Sequence, residues 1–188
     1  MDTDRVKDQK TEIAVFGGGC FWCTEAVFSM IRGVVEVIPA YTGGSIANPT
    51  YAMVSTGTTG HVEVVSIKYD PQLVPYRLLL TIFFASHDPT TLNRQGNDFG
   101  TQYRSVIFYT TDEQKKEAEV CIREINTSNT KGDRVVTTVE PLTVLYPAED
   151  YHKEYFRYHT DAPYCQLVIN PKLEKITREF AQFLNIQQ

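Results

Sequence analysis

The sequence is poor in positive charge, in cysteine and in long apolar runs, and each shortage removes a class of function. Eighteen Lys and Arg against 23 Asp and Glu leave a net charge of -5 and a pI near 5.4. A nucleic acid or an anionic membrane needs a basic face that displaces counterions, so neither is expected as a partner. The Lys115-Lys116 pair is read as a solvated helix face. No segment stays apolar long enough to span a bilayer, and Met1 to Thr11 are charged and lack the apolar core of a secretory signal, which points to a cytoplasmic protein. Four cysteines in 188 residues are too few for a disulfide scaffold, and a reducing compartment keeps them as thiols, so any disulfide is expected to be transient and catalytic. Repeats, low-complexity segments and linkers are missing too. The length suits one domain: residues 12–188 are read as a single catalytic domain behind a flexible tail over 1–11.

What is present centres on Gly17-Gly18-Gly19-Cys20-Phe21-Trp22-Cys23-Thr24-Glu25. An apolar run of strand length, Glu12 to Phe16, precedes it, and Ala26, Val27 and Met30 follow at helical spacing. The pattern is strand, glycine turn, helix, with Cys20 at the helix start. There the unpaired backbone N–H groups and the helix dipole favour an anion, which makes Cys20 a candidate thiolate nucleophile. Phe21 and Trp22 set two rings beside the sulfur, where a small apolar group can dock. A phosphate-binding turn is not supported, because neither Gly-Lys-Ser/Thr nor a spaced Gly-x-Gly-x-x-Gly occurs. Cys20 to Cys23 also has Cys-x-x-Cys spacing, which fits a thioredoxin-like redox pair or half of a zinc site as well as it fits a nucleophile.

Further along, Val34 to about Tyr41 reads as a strand, and Asn48-Pro49-Thr50-Tyr51 as a helix start with Asn48 at the cap. In the strand from His61 to Tyr69, alternation puts Glu63 on the same face as Val65, Ile67 and Tyr69. A carboxyl held among apolar neighbours has a raised pKa and donates a proton; one at a frayed strand end in water does not, and both readings stand. His61, beside Gly60, is read as structural. Pro75 opens an apolar helix through Phe83 that packs under a sheet. The long polar loop from His87 to Gly100 is of a kind that carries function, with Asp98 and the following Tyr103 as its candidates; the local alternative is an Asp that fixes its own turn and a Tyr that opens the next strand, Arg104 to Thr110. A helix begins at Asp112 with Cys121 on its core stripe. Strands are expected over Arg134–Val139 and Leu142–Tyr146, a short helix over Asp150–Tyr158, and Cys165 on an irregular, movable loop before a final amphipathic helix. Through Thr110 the order strand, helix, strand, strand, helix, strand is the split β-α-β pattern of ferredoxin-like plaits. The class is α+β with a mixed sheet, helices against one face and a loop-rich C-terminal segment.

Taken together, these segments resemble the A-type methionine sulfoxide reductases, the peptide-methionine (S)-S-oxide reductase family. Gly19-Cys20-Phe21-Trp22 matches the nucleophile motif. Asn48 to Tyr51, Gly60-His61-Val62-Glu63, Gly96-Asn97-Asp98 with Gly100 to Ser105, and Ala148-Glu149-Asp150-Tyr151-His152 match the others in order. The resemblance implies a two-layer plait and reduction of methionine-S-sulfoxide, protein-bound or free, with no metal or organic cofactor. It makes Cys20 the nucleophile that becomes a sulfenic acid, and Phe21 with Trp22 the methyl site. Glu63 is the protonated acid on the sulfoxide oxygen, Tyr51 and Tyr103 assist it, and Asp98 supports the site. Cys165 aligns with the C-terminal resolving cysteine, and Cys23 is structural or auxiliary; a disulfide then forms and thioredoxin reduces it. The expected working unit is a monomer. Three departures stand out: no cysteine follows Cys165, Cys23 stands where a glycine or other residue often follows the Trp and either resolves the sulfenic acid or only packs in the helix, and Ala162-Pro163 replaces a glycine before Tyr164-Cys165. A disulfide oxidoreductase using Cys20 and Cys23, and a zinc module using Cys20, Cys23, Cys165 and a histidine, are the rival functions.

Overall fold

The computed structural model describes residues 10–129 and 132–185. The tail expected over 1–11 therefore lies, up to residue 9, outside the described residues. β1 (Glu12–Gly17), β2 (Val34–Thr42), β3 (Val62–Tyr69) and a later strand, Val106–Tyr109, form the centre of a six-stranded sheet. Between them lie α1 (Phe21–Ser29), the single-turn α2 (Tyr51–Val54) and α3 (Tyr76–Ser86). The polar loop after α3 holds a small hairpin, β4 (Arg94–Gln95) with β5 (Asp98–Phe99), so Val106–Tyr109 is β6. α4 (Asp112–Ser128), β7 (Thr138–Pro141), β8 (Tyr146–Pro147), α5 (Tyr155–Tyr158) and α6 (Asn170–Phe180) complete the chain. The sheet order is β7-β6-β1-β3-β2-β8, antiparallel except for the β6–β7 pair. Its four central strands follow the ferredoxin-like order.

Alternation along β3 decides what lies where. Val65, Ile67 and Tyr69 enter the main core, packed by Phe21, Val27 and Phe28 of α1, Leu79, Leu80 and Phe83 of α3, and Ala118 and Cys121 of α4. Val62 and Val64 face the other way, into a smaller cluster with Val15, Val106 and Phe108 that Leu142 and Leu145 partly cover. Helices cover one face of the sheet and extended chain covers the other, and so β3 is apolar on both sides.

The later elements depart from the expected ones. Residues Arg134 to Thr137 do not pair in the sheet; Val136 N–H bonds to Pro89 C=O instead. The run from Leu142 lies over the outer sheet face, which leaves β8 as two residues. The helix expected over Asp150–Tyr158 is split, because Glu154 sits at φ 52. Thr50, not Asn48, caps α2, its hydroxyl accepting from Met53 N–H. Tyr103 lies in a 3-10 turn, Thr101–Tyr103, and does not open a strand.

Cys165 is the largest departure: it is not on a loop. Pro163 and Tyr164 are already helical, and Cys165–Ile169 form a π-helical turn that runs into α6. Proline at a helix start loses no hydrogen bond, which suits Pro163. Pro171 lacks the N–H for the carbonyl four residues back and crowds it, and the wider π turn just before it accommodates that.

Candidate active site

β1 ends in a turn in which Gly19 has φ 96, a conformation costly for any side chain, and a Cβ there would lie 2.7 Å from Gln95. Cys20 follows as the N-cap of α1, with φ -58 and ψ 126. The carboxylate of Glu63 reaches across from β3, and its Oε2 accepts from Phe21 N–H at 3.1 Å. One of the free amides of α1 is thus bound by the very side chain whose surroundings were open in the sequence. Glu63 is 1% exposed, which excludes the frayed end. Burial, with the charges of Asp98 and Cys23 adding to it, pushes its pKa up to about 8, against the Phe21 hydrogen bond. Near neutrality Glu63 is a carboxylic acid.

The nucleophile differs from expectation in one respect. Burial drives the Cys20 thiol well above its ordinary range, helped by the hydrogen bond with Cys23 and the charge of Glu63. The helix start alone favours thiolate, but desolvation of the charged form outweighs it here. Cys23, one turn along, is instead lowered to about 7. The hydrogen bond from Cys20 is the chief cause, and Lys172 and Tyr164 add to it against burial. Burial thus favours the protonated form of Cys20, and the hydrogen bond favours the thiolate form of Cys23.

Around this pair the structure gathers Tyr51 from α2, Asp98 from β5 and Tyr103 from its 3-10 turn, each partly buried. Burial raises both tyrosines, and the charges of Glu63 and Cys20 act on each, so their phenols keep their protons as donors. Trp22 lies half-buried, its Nε1–H donating to His152 Nδ1 at 3.0 Å and its face stacked on Tyr155 at 3.7 Å. Phe21 sits deeper, 1% exposed, with Tyr41, Tyr51 and His152 around its ring. It backs the site where Trp22 faces it.

A model of the family described as "Peptide methionine sulfoxide reductase" matches residues 12–184. The chain belongs to this family. A relative from Saccharolobus solfataricus, "Peptide methionine sulfoxide reductase MsrA", is 52% identical over 177 residues, covering 94% of this chain and 99% of its own length. The methionine sulfoxide reductase A of Corynebacterium diphtheriae superposes with a TM-score of 0.76 at 35% identity, over 84% of this chain and 78% of that one. Mxr1 of Saccharomyces cerevisiae in reduced form gives 0.76 at 32%, over 85% and 91%. Membership in the methionine sulfoxide reductases makes the chain an oxidoreductase, and it does not favour the disulfide oxidoreductase reading.

Several residues of this reductase site had no role read from sequence. Tyr164 donates to Asp98 Oδ2 at 2.8 Å, and its oxygen lies 3.7 Å from Cys23 Sγ, so it ties the C-terminal helix to the thiols. Glu149 accepts from Tyr51 N–H and from the Tyr41 hydroxyl, fixing the start of α2. Glu25, pushed up to about 7 chiefly by burial, accepts from Glu154 N–H at 2.8 Å. Glu149 and His152 sit in a segment that the family motif marks; the adjacency of Tyr164 to Cys165 was the only sign of it in the sequence. His61 is structural as expected, its Nδ1 accepting from Gly44 N–H. Among the described residues no helix is long and apolar enough to cross a membrane.

Proposed function

We propose that the chain reduces the S epimer of methionine sulfoxide, free or within oxidised proteins, with Cys20 as nucleophile and Glu63 as acid. The observation that carries this is the Glu63 carboxyl, 1% exposed and bonded to the first amide of the helix that Cys20 caps. Cys20 Sγ attacks the sulfoxide sulfur while Trp22, backed by Phe21, receives the methyl group. Glu63 gives its proton to the sulfoxide oxygen, the Tyr51 and Tyr103 hydroxyls bond to that oxygen as its charge grows, and the oxygen passes to Cys20 Sγ as the substrate S–O bond and the new S–S bond break and methionine leaves. Asp98 supports the site through Tyr164. The proton that Cys20 loses replenishes Glu63, so sulfoxide and thiol become methionine and Cys20 sulfenic acid with no net proton from solvent.

An intramolecular disulfide involving Cys165 then closes the oxidative half, and thioredoxin returns the thiols. The yeast protein Mxr1 has been crystallised in complex with Trx2. The acidic balance and the lack of a long apolar segment fit a cytoplasmic protein, with residues from 12 onward acting as one catalytic domain. The test is methionine formed in a single turnover, followed against pH. Since the acid form of Glu63 exists below about 8, the wild-type rate should fall as pH rises through that value. Glu63→Gln should be about 100-fold slower or worse at pH 7 and lose that fall. A Gln variant as fast as wild type at pH 7 would overturn the acid role.

A further inference from the structure

The methyl site and one of the oxygen donors hang from a single side-chain network that takes no direct part in the chemistry. Trp22 lies flat on Tyr155, with ring centroids 3.7 Å apart and planes 6° from parallel. A stacked ring keeps its plane but still slides and turns within it, so the stack alone does not fix where Trp22 meets a methyl group. The indole Nε1–H removes that freedom by donating to His152 Nδ1 at 3.0 Å. An indole nitrogen only donates, so Nδ1 carries the lone pair and the proton of the neutral imidazole sits on Nε2. Burial lowers the His152 pKa, against the charge of Glu149, which keeps the ring neutral and Nδ1 an acceptor near neutrality. His152 is 0% exposed, and among the described residues its Nε2 has no hydrogen-bond partner. Glu149 Oε2 lies 3.9 Å from Nε2, too far for a hydrogen bond but close enough for the carboxylate to hold that N–H toward itself. The same carboxylate accepts from the Tyr41 hydroxyl at 2.9 Å through Oε2 and from Tyr51 N–H at 2.8 Å through Oε1. The Tyr51 and His152 rings pack 4.6 Å apart.

From this arrangement we infer that His152 and Glu149 form one positioning unit for the reaction. His152 fixes the rotation of Trp22 at the methyl site. Glu149 fixes both His152 and the start of α2, so that the methyl-receiving ring and the Tyr51 hydroxyl are set relative to each other. This rests on the reductase reading above, which gives Trp22 the methyl group and Tyr51 the oxygen. Each member acts through another ring, and the two effects separate. The methyl contact is present in the ground state and the transition state alike, so freeing Trp22 weakens binding more than it slows the reaction. Tyr51 bonds to the oxygen as its charge grows, so disturbing Glu149 also lowers the rate of the chemical step.

The experiment follows methionine formed in a single turnover of the reduced full chain against the concentration of methionine-S-sulfoxide. Without substrate, it also follows hydrogen exchange of the Trp22 indole proton by nuclear magnetic resonance; the chain has one tryptophan, so one indole signal reports. His152→Leu should raise the half-saturating concentration about tenfold while the maximal rate stays within about threefold of wild type. Its indole proton should exchange about tenfold faster. His152→Asn presents an acceptor oxygen about where Nδ1 lies and should restore both readouts. In a Trp22→Phe background, where the hydrogen bond cannot form, adding His152→Leu should cost no more than about twofold. Glu149→Ala should raise the half-saturating concentration and lower the maximal rate about tenfold as well. A slow indole and an unchanged half-saturating concentration in His152→Leu would overturn the unit, as would a His152→Asn variant no better than His152→Leu, or the same loss in the Trp22→Phe background. If His152→Leu does not fold, the Glu149 variants decide. Glu149→Ala should speed indole exchange and Glu149→Gln, which keeps an acceptor oxygen, should not; an Ala variant that exchanges as slowly as wild type would overturn the unit. Absence of methionine from wild type would count against the reductase reading instead, and indole exchange would still decide whether His152 holds Trp22.

Discussion

Glu63 destabilises the fold that it serves. An unfolded glutamate titrates near ~4.3, whereas the folded one holds its proton up to about 8. The folded state therefore binds a proton that the unfolded chain gives up, and stability falls as pH rises from the lower value through the higher. At about 1.4 kcal/mol for each pKa unit, the loss above pH 8 is on the order of 5 kcal/mol. Glu63→Gln should remove that loss: urea unfolding should show the variant more stable than wild type at pH 9 and close to it at pH 4. Equal pH dependence in both would contradict a buried acid. Tyr164→Phe is expected to raise the Cys23 midpoint above about 7, since the phenol's hydrogen bond lowers it; thiolate absorbance against pH reads this, and an unmoved midpoint would show the contact to be idle. At this scale Cys20 and Glu63 were legible, one from a glycine turn before a helix and the other from alternation along β3. The protonation of Cys20 was not. It depends on cover from the distant C-terminal helix, which no local pattern carries.

Between elements, the contact that most affects the site is the one joining α1 to α5. Glu25 accepts from Glu154 N–H, holding a residue at φ 52 from which Tyr155 swings onto the face of Trp22. Glu25→Ala leaves that partly buried amide without its partner and should cost about 1–3 kcal/mol in urea unfolding. It should also shift the emission of Trp22, the one tryptophan in the chain, whereas Glu25→Gln keeps an acceptor and should keep the emission. Unchanged stability and emission in the Ala variant would refute the link. β1, α1, β2, β3, α3 and α4 were readable because each is long enough to repeat its period. β7, β8, the split at Glu154 and the helix at Pro163 were not. Two-residue strands have no period, and Pro163 and Pro171 look like breaks until the π turn is seen.

For the whole molecule, the α+β class followed from element order, but the strand order could not, because pairing is a contact between distant segments. The order found puts β3 between β1 and β2, so that Glu63, opposite Tyr41, lies beneath the helix start that follows β1. The covering of both faces of β3, helices inside and the Leu142–Leu145 run outside, keeps the carboxyl dry. Topology thus brings Cys20 of one segment to Glu63 of another, and the proposed chemistry belongs to the assembled chain. The most direct test of this account is the loss of each methionine sulfoxide epimer, resolved by chromatography, with dithiothreitol as reductant. The account predicts that the S epimer disappears with stoichiometric appearance of methionine while the R epimer persists. Consumption of neither epimer by folded, reduced protein would contradict it.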